Sequence, residues 1–370
     1  MNEQPDILVL GLGPAGACAA EICAQAGLSV LAIDKKNQPG APIQCAEFVP
    51  AMIGSEVDSL HKTTIQNIRS MQTFVEDQPA DIMAEFPGRM IDRRNFDKEL
   101  GLRAIRAGAK LEYEIKAQDI STGADVELAD GRLISAKVLI GADGPKSLVG
   151  YGMGSSNTEF LDTRQIKVAL LRPFESTDIF LKSSIVGGYG WAFPKGDTVN
   201  IGLGVHPDHR KMLKPLLNEL HQELINCGRA AEEIISHTGG LIPAGGMIKP
   251  WRIVGPTLCL LAGDAAGLTN PITGAGINSA VISGKLAGEA AVRYLADPQQ
   301  TQAGEDYQED LEDLFEASLS RAVAHRKRLV TYWRENNNLS PEQLRSGWIA
   351  YDQYWQAPTP SSLEKTPCPA

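Results

Sequence analysis

The residues best suited to chemistry in this sequence are glycines and acids placed at the ends of apolar runs. Gly11-Leu12-Gly13-Pro14-Ala15-Gly16 follows the run Ile7 to Leu10, and Gly263-Asp264 follows the run Leu258 to Ala262. Gly11 permits a tight strand-to-helix turn, Gly13 lets backbone approach a pyrophosphate, and Gly16 allows close helix–strand packing. Pro14 and Ala15 open a helix whose free N–H groups and positive dipole end suit phosphates. Asp34, with Lys35 beside it, ends the next apolar run; a carboxylate there accepts from ribose hydroxyls and repels a 2′-phosphate. Asp264 is placed to bond a ribityl or ribose hydroxyl. Asn270-Pro271 then breaks the chain, and Gly274-Ala275-Gly276 starts a long helix of small residues whose N–H groups suit negative charge on a reduced flavin. One such motif suggests any dinucleotide. Two, about 250 residues apart, point to one long cofactor gripped at both ends: FAD.

The six cysteines, Cys18, Cys23, Cys45, Cys227, Cys259 and Cys368, show no CxxC and no ligand-like spacing with histidine, so no metal site is expected. Cys18, Cys23 and Cys259 lie in apolar runs and read as core thiols. Cys45 lies instead in a proline- and glycine-rich stretch, within Pro42-Ile43-Gln44-Cys45-Ala46-Glu47. Trp191 and Phe193, in Tyr189-Gly190-Trp191-Ala192-Phe193-Pro194, wall an apolar or aromatic substrate pocket, form the inner face of a sheet, or do both. No histidine falls in a motif, so no general base is nominated.

The elements that position these residues follow from periodicity. Ile7–Leu10, the helix from Pro14 to Ala26 and the strand Leu28 to Asp34 make a βαβ unit. Strands are predicted at 68–75 and 82–86, and a helix at 94–107 with Phe96, Leu100, Leu102 and Ile105 inward. Asp130-Gly131 marks a hairpin between strands at 124–128 and 133–135. A buried strand at 138–141 leads to Asp143-Gly144, an antiparallel sheet spans 165–204, and helices are predicted at 207–226 and up to Leu295. The rest is polar and helical, then aromatic, with Tyr332, Trp333, Trp348, Tyr351, Tyr354 and Trp355. The fold class is therefore α/β: a Rossmann-like FAD-binding domain (1–65, 87–160 and 255–300), an antiparallel-sheet substrate domain (66–86 and 161–254), a helical aromatic-rich C-terminal segment (301–356) and a tail (357–370).

A net charge of −10 argues against a nucleic-acid partner and weakly against anionic membranes. No secretory signal opens the chain and no 18-residue apolar run occurs, so the expectation is a soluble, cytoplasmic protein without stable membrane insertion.

The chain resembles flavoproteins of the aromatic hydroxylase type, and more closely their geranylgeranyl reductase branch. The N-terminal glycine motif, Gly141-Ala142-Asp143-Gly144-Pro145-Lys146-Ser147 and Gly263-Asp264 match that superfamily's three fingerprints in order. Arg93 with Phe96-Asp97 resembles its helix start, where an arginine meets the FAD phosphates, and Tyr189 to Pro194 followed by Gly202 resembles a substrate-side signature of the reductase branch. The resemblance implies that Asp143 serves FAD and a transiently docked NAD(P)H; a protein or quinone donor is equally compatible. It also implies that Cys45 lies beside the flavin with a catalytic role, although Ala46 stands where the branch usually has glycine.

Three functional readings follow. The preferred one is a monooxygenase-type enzyme that modifies a tryptophan of a partner protein. It rests on the tail from His325 to Trp355, which resembles flavoproteins that mature cysteine tryptophylquinone amine oxidases of the lysine ε-oxidase or glycine oxidase type. The partner would then be a precursor amine oxidase, with Arg326-Lys327-Arg328 as docking surface or simply a solvated helix face. The second reading is reduction of isoprenoid double bonds, with a small apolar or aromatic substrate. The third is a non-catalytic flavin-bearing assembly protein.

Overall fold

The computed structural model describes residues 4–57, 60–297 and 302–356. Cys368 and the predicted tail at 357–370 lie outside them. Ile7–Leu10 and Val30–Asp34 are buried at every position, as continuous apolar runs must be. They belong to a six-stranded sheet ordered Trp251–Val254, Thr257–Leu261, Val138–Gly141, Ile7–Leu10, Val30–Asp34 and Lys110–Tyr113. The first two strands are antiparallel and the other pairings are parallel. Helix Pro14–Gln25 crosses helix Ile277–Ala296 at a seam of small residues. A side chain on Gly284 would strike the Ala15 backbone, and one on Gly288 would press on Ile22.

Helix Arg93–Ala107 starts at Asp92, whose side chain accepts from the Asn95 N–H at 3.0 Å. Phe96, Leu100 and Ala104 face inward, but Leu102 is half-buried and Ile105 is 50 % exposed. The expected inner stripe fails on geometry. At about 100° per residue, position 105 points away from position 96, and 102 away from 100.

A seven-stranded sheet is ordered Ala230–Pro243, Phe160–Leu170, Thr198–Val205, Gly190–Lys195, Ser176–Leu181, Ser70–Val75 and Asp81–Met83. All neighbours are antiparallel except Ser176–Leu181 with Ser70–Val75. Helix Leu213–Asn226 covers it through Leu213, Leu216, Leu217, Leu220 and Leu224, packed on Ile166, Ile201 and Leu203. The helix predicted to start at Pro207 begins instead as a 3₁₀ turn, Pro207–Met212. The long edge strand Ala230–Pro243 was not expected from the sequence. Strands Phe48–Pro50, Gly88–Ile91 and Thr64–Ile68 form a small third sheet that packs near strand Gly190–Lys195, and Ala117–Ile120, Val126–Leu128 and Leu133–Ile134 form a fourth.

Helices Gln302–Leu311, Ala317–Asn336, Pro341–Ser346 and Asp352–Trp355 form the C-terminal segment. Asn337, at φ 52°, ends the long helix, and a Ser340–Gln343 capping box starts the next. Trp348 and Tyr354 are buried in one cluster with Met71, Trp191 and Phe193. Arg326 is only 4 % exposed and bonds the Phe160 carbonyl, while Arg328 donates to His325 Nδ1 at 2.8 Å. The two arginines tie the helix down, and of the three basic residues only Lys327, which pairs with Glu159 at 3.0 Å, faces solvent. Among the described residues no helix is long and apolar enough to cross a membrane.

Candidate active site

One cavity of about 980 Å³ runs between the six-stranded and seven-stranded sheets. Its first end is backbone. Gly11, at φ 95°, sits where a side chain would collide with the Ala142 carbonyl, and a side chain on Gly16 would collide with Gly11. Gly13 has nothing within 4 Å of where a Cβ would stand and lines the cavity, with Pro14 and Ala15 beside it. The turn is thus closed on the protein side and open towards the cavity. Asp34 braces it: Oδ2 accepts from the Leu12 N–H at 2.8 Å and Oδ1 from the Lys36 N–H at 2.9 Å. Lys35 also lines the cavity.

The second glycine segment reaches the same cavity through Gly263, Asp264, Gly274, Ala275 and Gly276. Asp264 Oδ1 accepts the Thr269 hydroxyl at 2.5 Å, and burial pushes its carboxyl above the usual range. Asp143 behaves alike: burial raises it, while Ser147 and the Leu148 N–H donate to it at 2.5 and 2.6 Å. Arg93 enters from its helix start and makes a two-pronged pair with Asp97, 3.0 Å at each prong. Gly16 and Pro271 do not line this cavity. Gly16 serves packing, and Pro271 borders a smaller space behind it.

The segment from Pro42 to Glu47 closes one side, stitched to the seven-stranded sheet. Thr238 donates to the Ile43 carbonyl, Gln44 to Gly239 at 3.0 Å, Gln165 to the Cys45 carbonyl at 3.1 Å and Asn200 to the Ala46 carbonyl at 3.1 Å. Glu47 is buried, and Lys195 Nζ donates to its Oε1 at 2.7 Å. Cys45 is half-buried in the cavity wall and accepts the Glu47 N–H at 3.2 Å. Burial pushes its thiol up; the Arg93 cation pulls the other way and does not prevail. The thiol therefore keeps its proton at neutral pH.

The far end is aromatic. The Trp191 indole donates to Gln165 Oε1 at 2.8 Å, Tyr189 donates to the Thr273 carbonyl at 2.6 Å, and Phe193 lies 5.9 Å from Phe48. Trp348 and Ile349 complete this wall from the C-terminal segment. Trp191 and Phe193 thus both pack in the sheet's apolar cluster and line the cavity. Gln165, Glu47, Asn200 and Lys195 were not singled out from the sequence. Among the described residues no group of acids, cysteines and histidines could hold a metal ion.

The comparisons bear on what such a cavity serves. Residues 167–242 match the geranylgeranyl reductase catalytic domain family, and residues 6–165 the lycopene cyclase family. The chain is 33 % identical to digeranylgeranylglycerophospholipid reductase 2 of Methanosphaera stadtmanae over 324 residues, 80 % of this chain and 79 % of that one. It is 30 % identical to digeranylgeranylglycerophospholipid reductase 1 of Methanopyrus kandleri over 388 residues, 95 % and 99 % of the two chains. The solved geranylgeranyl bacteriochlorophyll reductase-like protein of Thermoplasma acidophilum superposes with a TM-score of 0.82 at 25 % identity, over 93 % of this chain and 90 % of that one. Pseudomonas aeruginosa PqsL shares the fold, with a TM-score of 0.69 at 17 % identity over 90 % and 98 % of the chains.

These findings correct the preferred functional reading. The relatives are reductases, so a monooxygenase acting on the tryptophan of a precursor amine oxidase does not stand, and the likeness of the tail to maturation flavoproteins carries nothing. The chain belongs to the geranylgeranyl reductase family of FAD-dependent oxidoreductases.

Proposed function

We propose that this chain reduces isolated double bonds of an isoprenoid chain. One observation carries the reading. The one cavity that the glycine cradle lines is also lined by Phe48, Phe86, Trp191, Phe193, Trp348 and Ile349. Such a lining suits a hydrocarbon, which gains by leaving water and asks for few polar partners. The relatives' names point the same way.

The residues fit FAD because the Gly11–Gly16 turn leaves only its cavity side open, at Gly13, and both glycine segments reach one elongated space. We assign the pyrophosphate to Gly11, Gly13, Pro14, Ala15 and Arg93, and the ribose to Asp34 and Lys35. The ribityl and ring end falls to Asp143, Gly263, Asp264, Gly274, Ala275 and Gly276. The six-stranded sheet then carries the cofactor and the seven-stranded sheet the substrate. When bound and reduced, the flavin would supply two electrons and one hydrogen, as a hydride equivalent, to the first carbon of the double bond. Trp191 and Phe193 hold the chain and exclude water, with Gln165 fixing the indole. Cys45 Sγ, half-buried in the cavity wall with its thiol pushed up by desolvation, holds a proton there for the second carbon of the double bond. NAD(P)H is our candidate reductant.

The test is direct. FAD-loaded protein is reduced with dithionite, or separately with NADPH or NADH, and given geranylgeraniol. Products gaining two mass units per saturated bond are expected under dithionite. Their absence under all three reductants would sink the reading, while products under dithionite alone would remove only the nicotinamide.

A further inference from the structure

Two spaces meet at one pair of rings. Tyr189, Ile272 and Trp348 line the main cavity and also a smaller space of about 30 Å³ behind it, room for about one water. Leu181, Leu329 and Leu344 border the smaller space on its far side. The partition is fixed in place. The two rings lie 4.7 Å apart at 53°, the Tyr189 hydroxyl donates to the Thr273 carbonyl, and the Trp348 indole donates to Met71 Sδ at 3.4 Å. Gly347 presses so closely on helix Ala317–Asn336 that a side chain there would strike Leu329. Trp348 is 3 % exposed.

We propose that Trp348, braced by Tyr189, is the stop that sets how long an apolar chain this cavity accepts. The inference rests on the isoprenoid reading above and adds what limits the chain. An apolar tunnel by itself favours ever longer hydrocarbons, because each added carbon buries more surface. Selection against a longer chain therefore needs a rigid obstacle, and packed interiors supply one only where a side chain cannot yield. Here the obstacle is an indole anchored at its N–H, at its backbone and by a neighbouring ring. Behind it the lining is mostly apolar, so removing the ring would extend the tunnel rather than expose it to water. An indole has more heavy atoms than an isoprenoid unit has carbons, so the vacated space accepts one further unit.

The test uses the FAD-loaded protein, wild type and with Trp348→Leu or Trp348→Ala. Each is titrated with farnesol, geranylgeraniol and geranylfarnesol, and the flavin absorbance change gives the Kd. Relative to wild type, the ratio of Kd for geranylfarnesol to Kd for farnesol is expected to fall at least tenfold in both variants. Adding Leu344→Trp, which refills the rear space, should restore the wild-type ratio. Trp348→Leu keeps an apolar side chain at the site and guards against loss of folding. An unchanged ratio in a variant that retains FAD overturns the stop while leaving the isoprenoid reading intact. If wild type binds and reduces none of the three prenols, both fall.

Discussion

At the scale of single residues, Gln165 joins two parts of the site that the chain keeps 146 residues apart, Cys45 and Trp191. Its amide is 5 % exposed, and one end holds the Cys45 carbonyl while the other holds the Trp191 indole. Gln165→Leu would keep the volume and strand both partners without a bond. An unpaired buried polar group costs about 1–3 kcal/mol. We expect the variant to lose about 3 kcal/mol by urea unfolding and to lower kcat more than FAD affinity; a change within 0.5 kcal/mol would show the amide to be a bystander. The residue was legible in principle. An amide at an inward position of an apolar strand needs a partner, and Asn200, between Val199 and Ile201, carries the same signal. What the sequence could not supply was the partner, since the Pro42–Glu47 segment has no period of its own. The glycines of the first turn are different. The turn at Gly11 and the close packing at Gly16 follow from local backbone demands, so both were readable without knowing the rest.

At the scale of elements, the C-terminal helices are held by a histidine that must stay neutral. His325 stacks on Tyr354 at 4.5 Å, bonds the Tyr354 carbonyl at 3.0 Å and accepts from Arg328. Burial lowers its pKa and the Arg328 cation lowers it further; the bond to the Tyr354 carbonyl pulls the other way without prevailing. A histidine whose folded pKa is depressed binds its proton more readily when unfolded. Its contribution to stability is therefore whole above the unfolded value of about 6.5 and is lost as pH falls towards the folded value. Between pH 7.5 and 5 the Tm of the wild type should fall more steeply than that of His325→Phe; equal slopes would remove the histidine from the account. The elements also show where pattern reading stops. Strand Ala230–Pro243 carries Glu232-Glu233, Gly239-Gly240 and an exposed run from Glu232 to His237. An edge strand need bury little, so it shows no alternation, and only its partner Phe160–Leu170 reveals it. The buried parallel strands were plain because both faces demand apolar residues.

At the scale of the whole molecule, the cavity is lined by both large sheets and the C-terminal segment, so its cofactor should stabilise all of them together. A ligand at a hundred times its Kd adds about 2.7 kcal/mol to the folded state. Removing FAD should thus lower the Tm by roughly 5 °C, and as one transition; a shift confined to one of two transitions would mean that the sheets unfold separately. The composition of the C-terminal segment was legible, but its role was not. An aromatic tail reads as a surface for a partner until Trp348 and Tyr354 are seen filling the molecule's own core. The sheet order has a consequence for how the chain is made. Val138–Gly141 lies between Ile7–Leu10 and Thr257–Leu261, so on the ribosome its second flank stays bare while more than a hundred residues follow. At about 5–20 residues per second that wait lasts on the order of ten seconds. For that interval the nascent protein offers a wholly apolar, unpaired strand edge, and a chaperone able to shield it should raise the yield of folded enzyme.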